Sequence, residues 1–192
     1  TPLYSSAASD VYKRQRRTLL DGTRDTKRAS SWADCVVFLS DSAPREDERS
    51  FLSELGMTPL TTVGVLSRAD SFGPGAFGHH DPLEMAQHYA GRIAAQLGGH
   101  VGTMVPLSGL LAESALTGRI TESVARDLAD LAHLDREDLI DFVEADDPGI
   151  VVHGFTSENR DYLLDVVGEY GLVYGRGVAA QQGAAGLLEW MR

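Results

Sequence analysis

Val63-Gly64-Val65-Leu66-Ser67-Arg68-Ala69-Asp70 is the stretch that decides how this chain is read. It begins apolar and β-branched, as a strand does, and ends in a short polar turn closed by a carboxylate. Met104-Val105-Pro106-Leu107-Ser108-Gly109 repeats the pattern, an apolar run followed by a small polar turn. Upstream, Ala33 to Ser40 is a third apolar run. Its continuity predicts a strand buried on both faces of a parallel sheet, with the one cysteine, Cys35, inside it as a small buried hydrophobe.

Between these runs lie helix signals. Asp41 or Ser42 reads as a cap and Pro44 as a first-turn residue; Phe51, Leu52 and Leu55 form the apolar stripe and Gly56 the stop. Asp81-Pro82 opens a second helix, with Leu83, Ala86, Tyr89, Ala90, Ile93 and Leu97 at helical spacing and Gly98-Gly99 as its end. Strand, helix, strand, helix, strand over 34 to 108 predicts an α/β fold with a parallel sheet. Ligands of such sheets bind at the carboxyl ends of the strands, here Ser40-Asp41, Ser67 to Asp70 and Ser108-Gly109. Beyond Ser108 the pattern is helical: Leu110 to Leu116, Glu122 to His133, Arg136 to Glu144, Ser157 to Tyr170 with Ser157 as cap, and about Leu172 to Trp190. Asp146-Asp147-Pro148-Gly149 reads as a turn.

The net charge of −11 disfavours nucleic acid as a partner. One cysteine makes no internal disulfide, and neither a signal peptide nor a membrane-length apolar run is evident. His79-His80-Asp81 lacks the three or four ligands of a metal site. The acids between Asp135 and Asp147 miss the spacing of a calcium loop and read as a solvated face. The small residues from Gly171 to Gly186 read as a helix packed closely on a neighbour.

Asp70 has the chemistry to read a base. Guanine offers two adjacent donors, N1–H and the 2-amino group, and a carboxylate offers two acceptors at matching spacing. Adenine would leave that carboxylate unpaired. The Arg68 guanidinium and stem suit one face of the base, and backbone N–H groups at Ser108-Gly109 suit guanine O6. The candidate guanine-base residues are therefore Ser67, Arg68, Asp70, Ser108 and Gly109; no catalytic and no metal-ligating residue is assigned.

Leu66 to Asp70 and Val105 to Gly109 resemble the fourth and fifth signature motifs of GTPase domains. With Leu110-Leu111-Ala112-Glu113 and Leu163-Leu164-Asp165…Tyr170-Gly171, the chain resembles bacterial dynamin-like GTPases of the isoniazid-inducible type found in actinobacteria. The resemblance implies a P-loop NTPase-like half-domain followed by an all-helical segment. Residues 16–118 would be the C-terminal part of a G domain and 119–192 a stalk-like helical segment. Residues 1–15, whose Ser5 to Gln15 resemble a translated adapter read-through, are read as non-native, with a cut upstream of Arg16. GTP or GDP is the implied ligand, and Mg²⁺ the metal of the intact protein, its ligands not in this chain. Self-association through the G domain and helices, peripheral membrane contact and a cytoplasmic location complete the expectation.

Two departures limit it. Ser67 and Arg68 stand where the family has Asn or Thr followed by Lys, so the amide that braces the two loops is missing. No G-x-x-x-x-G-K-[ST] phosphate loop occurs in these residues, nor a switch motif following one, so the chain is expected not to hydrolyse GTP by itself. Two rivals stay open: a non-catalytic α/β scaffold with a helical interaction module, and a different nucleotide-binding α/β enzyme.

Overall fold

A computed structural model describes residues 33–145 and 152–192. The expectations for residues 1–32 and for the turn at 146–149 lie outside the described residues. Three parallel strands stand in the order β1 (Val36–Ser40), β2 (Thr62–Ser67), β3 (Thr103–Leu107). They are linked through α1 (Glu46–Glu54) and α2 (Pro82–Gln96). The register aligns Phe38, Gly64 and Met104 across the sheet, and Leu39, Val65 and Val105 in the next row.

The even-numbered positions face the helices. Phe38, Leu66 and Met104 pack with Leu52 of α1 and with Ala86, Ala90, Ile93 and Leu97 of α2 or its end. Met104 also explains Gly64, where a Cβ would stand 2.5 Å from its sulfur. Beside β3, a Cβ on Gly102 would run into the Pro59 carbonyl oxygen. Thr62 is buried on this face and its hydroxyl has no hydrogen-bond partner.

The odd-numbered positions correct the reading of β1 as buried on both faces. Val37 and Leu39 are 64% and 63% exposed, and Cys35 is exposed rather than buried. A continuous apolar run reads the same whether one face or both are covered, and here α1 and α2 both cover the same face.

Local caps explain the helix starts. Arg45, not Asp41 or Ser42, precedes α1, and its N–H donates to the Glu48 carboxylate at 2.8 Å. Asp81 caps α2 by accepting from the Leu83 N–H at 2.8 Å. Ser108 begins α3 (Gly109–Leu116) and accepts from the Leu111 N–H at 3.3 Å. α4 (Glu122–Asp130) and α5 (Arg136–Glu144) start at Thr121 and Asp135, which accept from Val124 and Asp138. Thr156 caps α6 (Ser157–Tyr170), so the expected cap Ser157 is its first residue. A wider turn over Gly171–Gly175 leads into α7 (Arg176–Met191).

The helices share a second core of Leu128, Leu131, Leu139, Phe142, Leu163, Val166, Leu172 and Leu187. α4 and α7 pack along each other, and Arg176 donates to the carbonyls of Leu131 at 3.1 Å and Leu134 at 2.8 Å, satisfying groups beyond the end of α4. Burial lowers the affinity of that guanidinium for its proton. Ser114, buried in α3, donates to the Val166 carbonyl at 2.6 Å. Two glycines depart from helical geometry within their helices, Gly168 (φ 63°, ψ −179°) and Gly183 (φ 63°, ψ −160°). A Cβ at Gly168 would stand 2.9 Å from Leu110 of α3.

Candidate functional site

The carboxyl ends of β1 and β2 are held together by a side chain. Ser67 Oγ donates to the Ser40 carbonyl at 3.3 Å, and buried Ser40 Oγ donates to the Ser42 carbonyl at 3.0 Å. The turn after β2 then tightens. Arg68 adopts the left-handed conformation (φ 56°, ψ 36°), uncommon for a residue with a side chain. Ala69–Ser71 form a single 3₁₀ turn, pinned by the Ser71 N–H and Ser71 Oγ, which donate to the Arg68 carbonyl at 3.1 and 3.2 Å. Ala69 is fully buried and anchors this turn to the first core, beside β3 and α2.

The turn presents Arg68 to solvent and leaves Asp70 half-buried. Among the described residues neither charged group makes an ion pair or a side-chain hydrogen bond. A cleft of about 240 Å³ opens beside Arg68, lined by Asp41, Ser67, Arg68, Ser71, Phe72 and Gly73. Asp41 and Phe72 were not among the sequence candidates. The sequence marks Asp41 both as a cap candidate and, with Ser40, as a strand end where ligands bind, but gives no such signal for Phe72. The Phe72 ring lies 5.0 Å from that of Tyr89, tilted by 41°, and the Arg92 guanidinium lies 5.1 Å over Tyr89.

Ser108 and Gly109 occupy the matching place after β3, next to Leu107, which pairs with Ser67. Ser108 is buried and its hydroxyl is engaged as the cap of α3. Nothing lies within 4 Å of where a Gly109 Cβ would stand, so the backbone is open to close approach there. The cleft at Ser108 is a separate one of about 330 Å³, largely apolar, lined by Leu107, Leu111, Tyr170, Trp190 and neighbours. The structure thus brings Ser67 and Arg68 into one cleft and Ser108 into another; Asp70 and Gly109 line neither.

The junction of the two cores adjoins the second cleft. Ala76, Leu111 and Tyr170 form a small cluster with Leu83, Tyr174 and Trp190 around it. Tyr170 stacks on Tyr174 at 4.7 Å and on Trp190 at 5.7 Å, the latter nearly parallel at 3°. Asp81 therefore belongs to this junction, not to a metal site with His79 and His80: one oxygen caps α2 and the other accepts from Tyr170. A third cleft, about 520 Å³, is lined by Asp127, Asp130, His133, His153 and Asn159 among others. Burial and the nearby Asp130 push the Asp127 carboxyl up. No group of three or more metal-ligating side chains with suitable placement exists among the described residues. Among the same residues, no helix is long and apolar enough to cross a membrane.

No family model matches the chain, and no solved structure matches it. Two curated proteins do. The chain is 33% identical over 187 residues to the isoniazid-induced protein IniC of Mycobacterium tuberculosis strain CDC 1551 / Oshkosh. The same figures hold for IniC of strain ATCC 25618 / H37Rv. Each alignment covers 90% of this chain and 35% of the relative, so the chain spans about a third of the length of the curated relatives it matches. The three-stranded α/β unit and its helices are therefore similar in sequence to part of a mycobacterial isoniazid-induced protein.

Proposed function

We propose that this chain carries the base-reading part of a guanine-nucleotide site of the dynamin-like GTPase kind. One observation carries the reading. At the carboxyl end of β2, a turn with left-handed backbone at Arg68 presents a half-buried Asp70 carboxylate that no described protein group satisfies. Two donors on the guanine edge match its two acceptors, and charge-assisted hydrogen bonds of this kind contribute about 1.5–3 kcal/mol each. Arg68, exposed and unpaired, would cover one face of the base. The backbone at Ser108-Gly109 would approach O6.

In this reading GTP or GDP is the ligand. Residues 16–118 act as the C-terminal part of a G domain and 119–192 as a stalk-like helical segment. Mg²⁺ and the phosphates belong to residues of a longer protein. Such a protein would self-associate through its G domain and helices, touch membranes peripherally and work in the cytoplasm. Similarity to part of the mycobacterial isoniazid-induced proteins agrees with the resemblance, and the dynamin-like assignment and the nucleotide are both this proposal.

Competition against a fluorescent GDP, on this chain and on a longer polypeptide containing it, tests the reading. Displacement by GDP at concentrations well below those needed for ADP is expected; equal displacement by both rejects a guanine pocket. A second reading, a non-catalytic α/β scaffold with a helical interaction module, draws on one observation: Ser67 and Ser108 line different clefts.

A further inference from the structure

A small cleft lies where the loop before α2, the start of α5 and the turn into α7 meet. It holds about 110 Å³ and is lined by Gly78, Arg136, Tyr174 and Arg176, together with apolar Ala76 and Leu139. Each guanidinium is fixed through one nitrogen. Arg136 Nη1 donates to the Gly78 carbonyl at 3.2 Å, and Arg176 Nη1 donates to the carbonyls of Leu131 and Leu134. Among the described residues, the other N–H groups of both arginines have no acceptor and neither arginine forms an ion pair. The Tyr174 hydroxyl has no hydrogen-bond partner there either. Burial, Asp81 and Glu84 raise the proton affinity of that hydroxyl and Arg136 lowers it, so the Arg136 charge is within its reach. The carboxylates around the cleft do not match the arginines. Both oxygens of Asp81 are taken, by the Leu83 N–H and by Tyr170, and Asp135 caps α5. Glu84 makes no ion pair with either arginine.

We propose that this cleft binds the phosphate group of a small molecule, either inorganic phosphate or the end of a phosphate monoester. Charge selects the ligand. Two cations without carboxylate partners suit a dianion, and a phosphate monoester carries about −1.5 to −2 near pH 7. Donor geometry agrees: a guanidinium fork presents paired N–H groups to phosphate oxygens, and the Tyr174 hydroxyl adds another donor. The bonds through Nη1 hold both forks in place before a ligand arrives, which lowers the cost of binding. Burial of Arg176 disfavours its charge, and a bound anion would offset that cost. Size sets the limit. The cleft is well below the roughly 300–1,000 Å³ of pockets that enclose whole organic ligands, so it holds one oxyanion and leaves the rest of a monoester in solvent. It shares no residue with the cleft beside Arg68, and the proposal does not depend on guanine binding.

Phosphorus NMR titration of this chain with inorganic phosphate and, separately, with glycerol 3-phosphate tests the site at constant ionic strength. Saturable one-to-one binding is expected. Tighter binding of glycerol 3-phosphate would mark the monoester as the source, and equal or weaker binding the free ion. Arg136 is exposed, so Arg136→Gln should leave the urea midpoint nearly unchanged. It should weaken binding roughly tenfold, as loss of one charge-assisted hydrogen bond does. Arg136→Lys should recover only part of that loss, because an ammonium lacks the fork. Tyr174→Phe keeps the ring that stacks on Tyr170 and should weaken binding by a smaller factor. Absence of saturable binding of both anions would overturn the proposal. So would binding by Arg136→Gln and Tyr174→Phe equal to that of the wild type, since the anion would then sit elsewhere.

Discussion

The Tyr170 hydroxyl donates to Asp81 Oδ2 at 3.2 Å, while Asp81 Oδ1 accepts from the Leu83 N–H and starts α2. One carboxylate thus ties the sheet's second helix to the end of α6. The helical core and the sheet core meet at this bond and at the aromatic cluster around it.

Removing the hydroxyl tests the tie. Tyr170→Phe is expected to cost about 1.5–3 kcal/mol, the range for a hydrogen bond to a charged group, read by urea denaturation at pH 7. Burial, then the Asp81 charge and hydrogen bond, raise the Tyr170 pKa above its ordinary 10.0. The folded state therefore holds this proton more tightly than the unfolded state. The resulting stabilisation is complete below pH 10 and is lost as pH rises toward the higher folded value. The wild type should lose stability above pH 10 more steeply than Tyr170→Phe; parallel pH profiles would contradict that cause.

Thr62 offers a change of the opposite sign. Its buried hydroxyl lacks a partner, so Thr62→Val removes an unsatisfied polar group at nearly constant shape. A gain of about 1 kcal/mol in unfolding free energy is expected, read as a higher denaturation midpoint without change in m-value.

At Gly102 the obstacle is backbone. The Pro59 carbonyl occupies the space a Cβ would need, and unlike a flexible side chain it cannot swing aside. Gly102→Ala should destabilise by about 1–3 kcal/mol, as overpacking does. Gly109→Ala, with open space around it, serves as the comparison and should change stability little.

Arg68 and Asp70 separate stability from binding. Arg68→Gly relieves a left-handed residue and should raise stability by about 1 kcal/mol while weakening binding of GDP. Asp70→Asn replaces one acceptor by a donor and should shift preference from guanine toward xanthine. Nucleotide competition with the variants checks both, and an unchanged base preference in Asp70→Asn would remove Asp70 from the role of reader.

Much of the architecture was legible because period and punctuation agree. Two helices, Arg136–Glu144 and Ser157–Tyr170, have the bounds their sequence suggests. Asp81-Pro82 marks the start of α2, since a capping carboxylate and a first-turn proline act locally. What was not legible depends on partners distant in sequence. Cys35, Val37 and Leu39 spell a buried strand by composition, yet only the placement of α1 and α2 decides which face is covered. Arg45 outcompeted Asp41 and Ser42 as the start of α1 because Glu48 reaches back to its N–H. At the site, the sequence marked the turns after β2 and β3. It held no information on the cleft each turn would line: Asp41 stood out only as a strand end and cap candidate, and Phe72 not at all.

The glycine at 183 has a mechanical consequence. Twenty residues of straight helix would hold Tyr170 and Trp190 about 30 Å apart, yet their rings stack at 5.7 Å. The tail therefore doubles back, and the break in helical geometry at Gly183 is where it turns. Trp190 could be pulled away only by breaking its stack on Tyr170 and drawing Leu187 out of the helical core at the same time. The last stretch of this chain is a helical hairpin pinned at Tyr170, the residue that also holds Asp81.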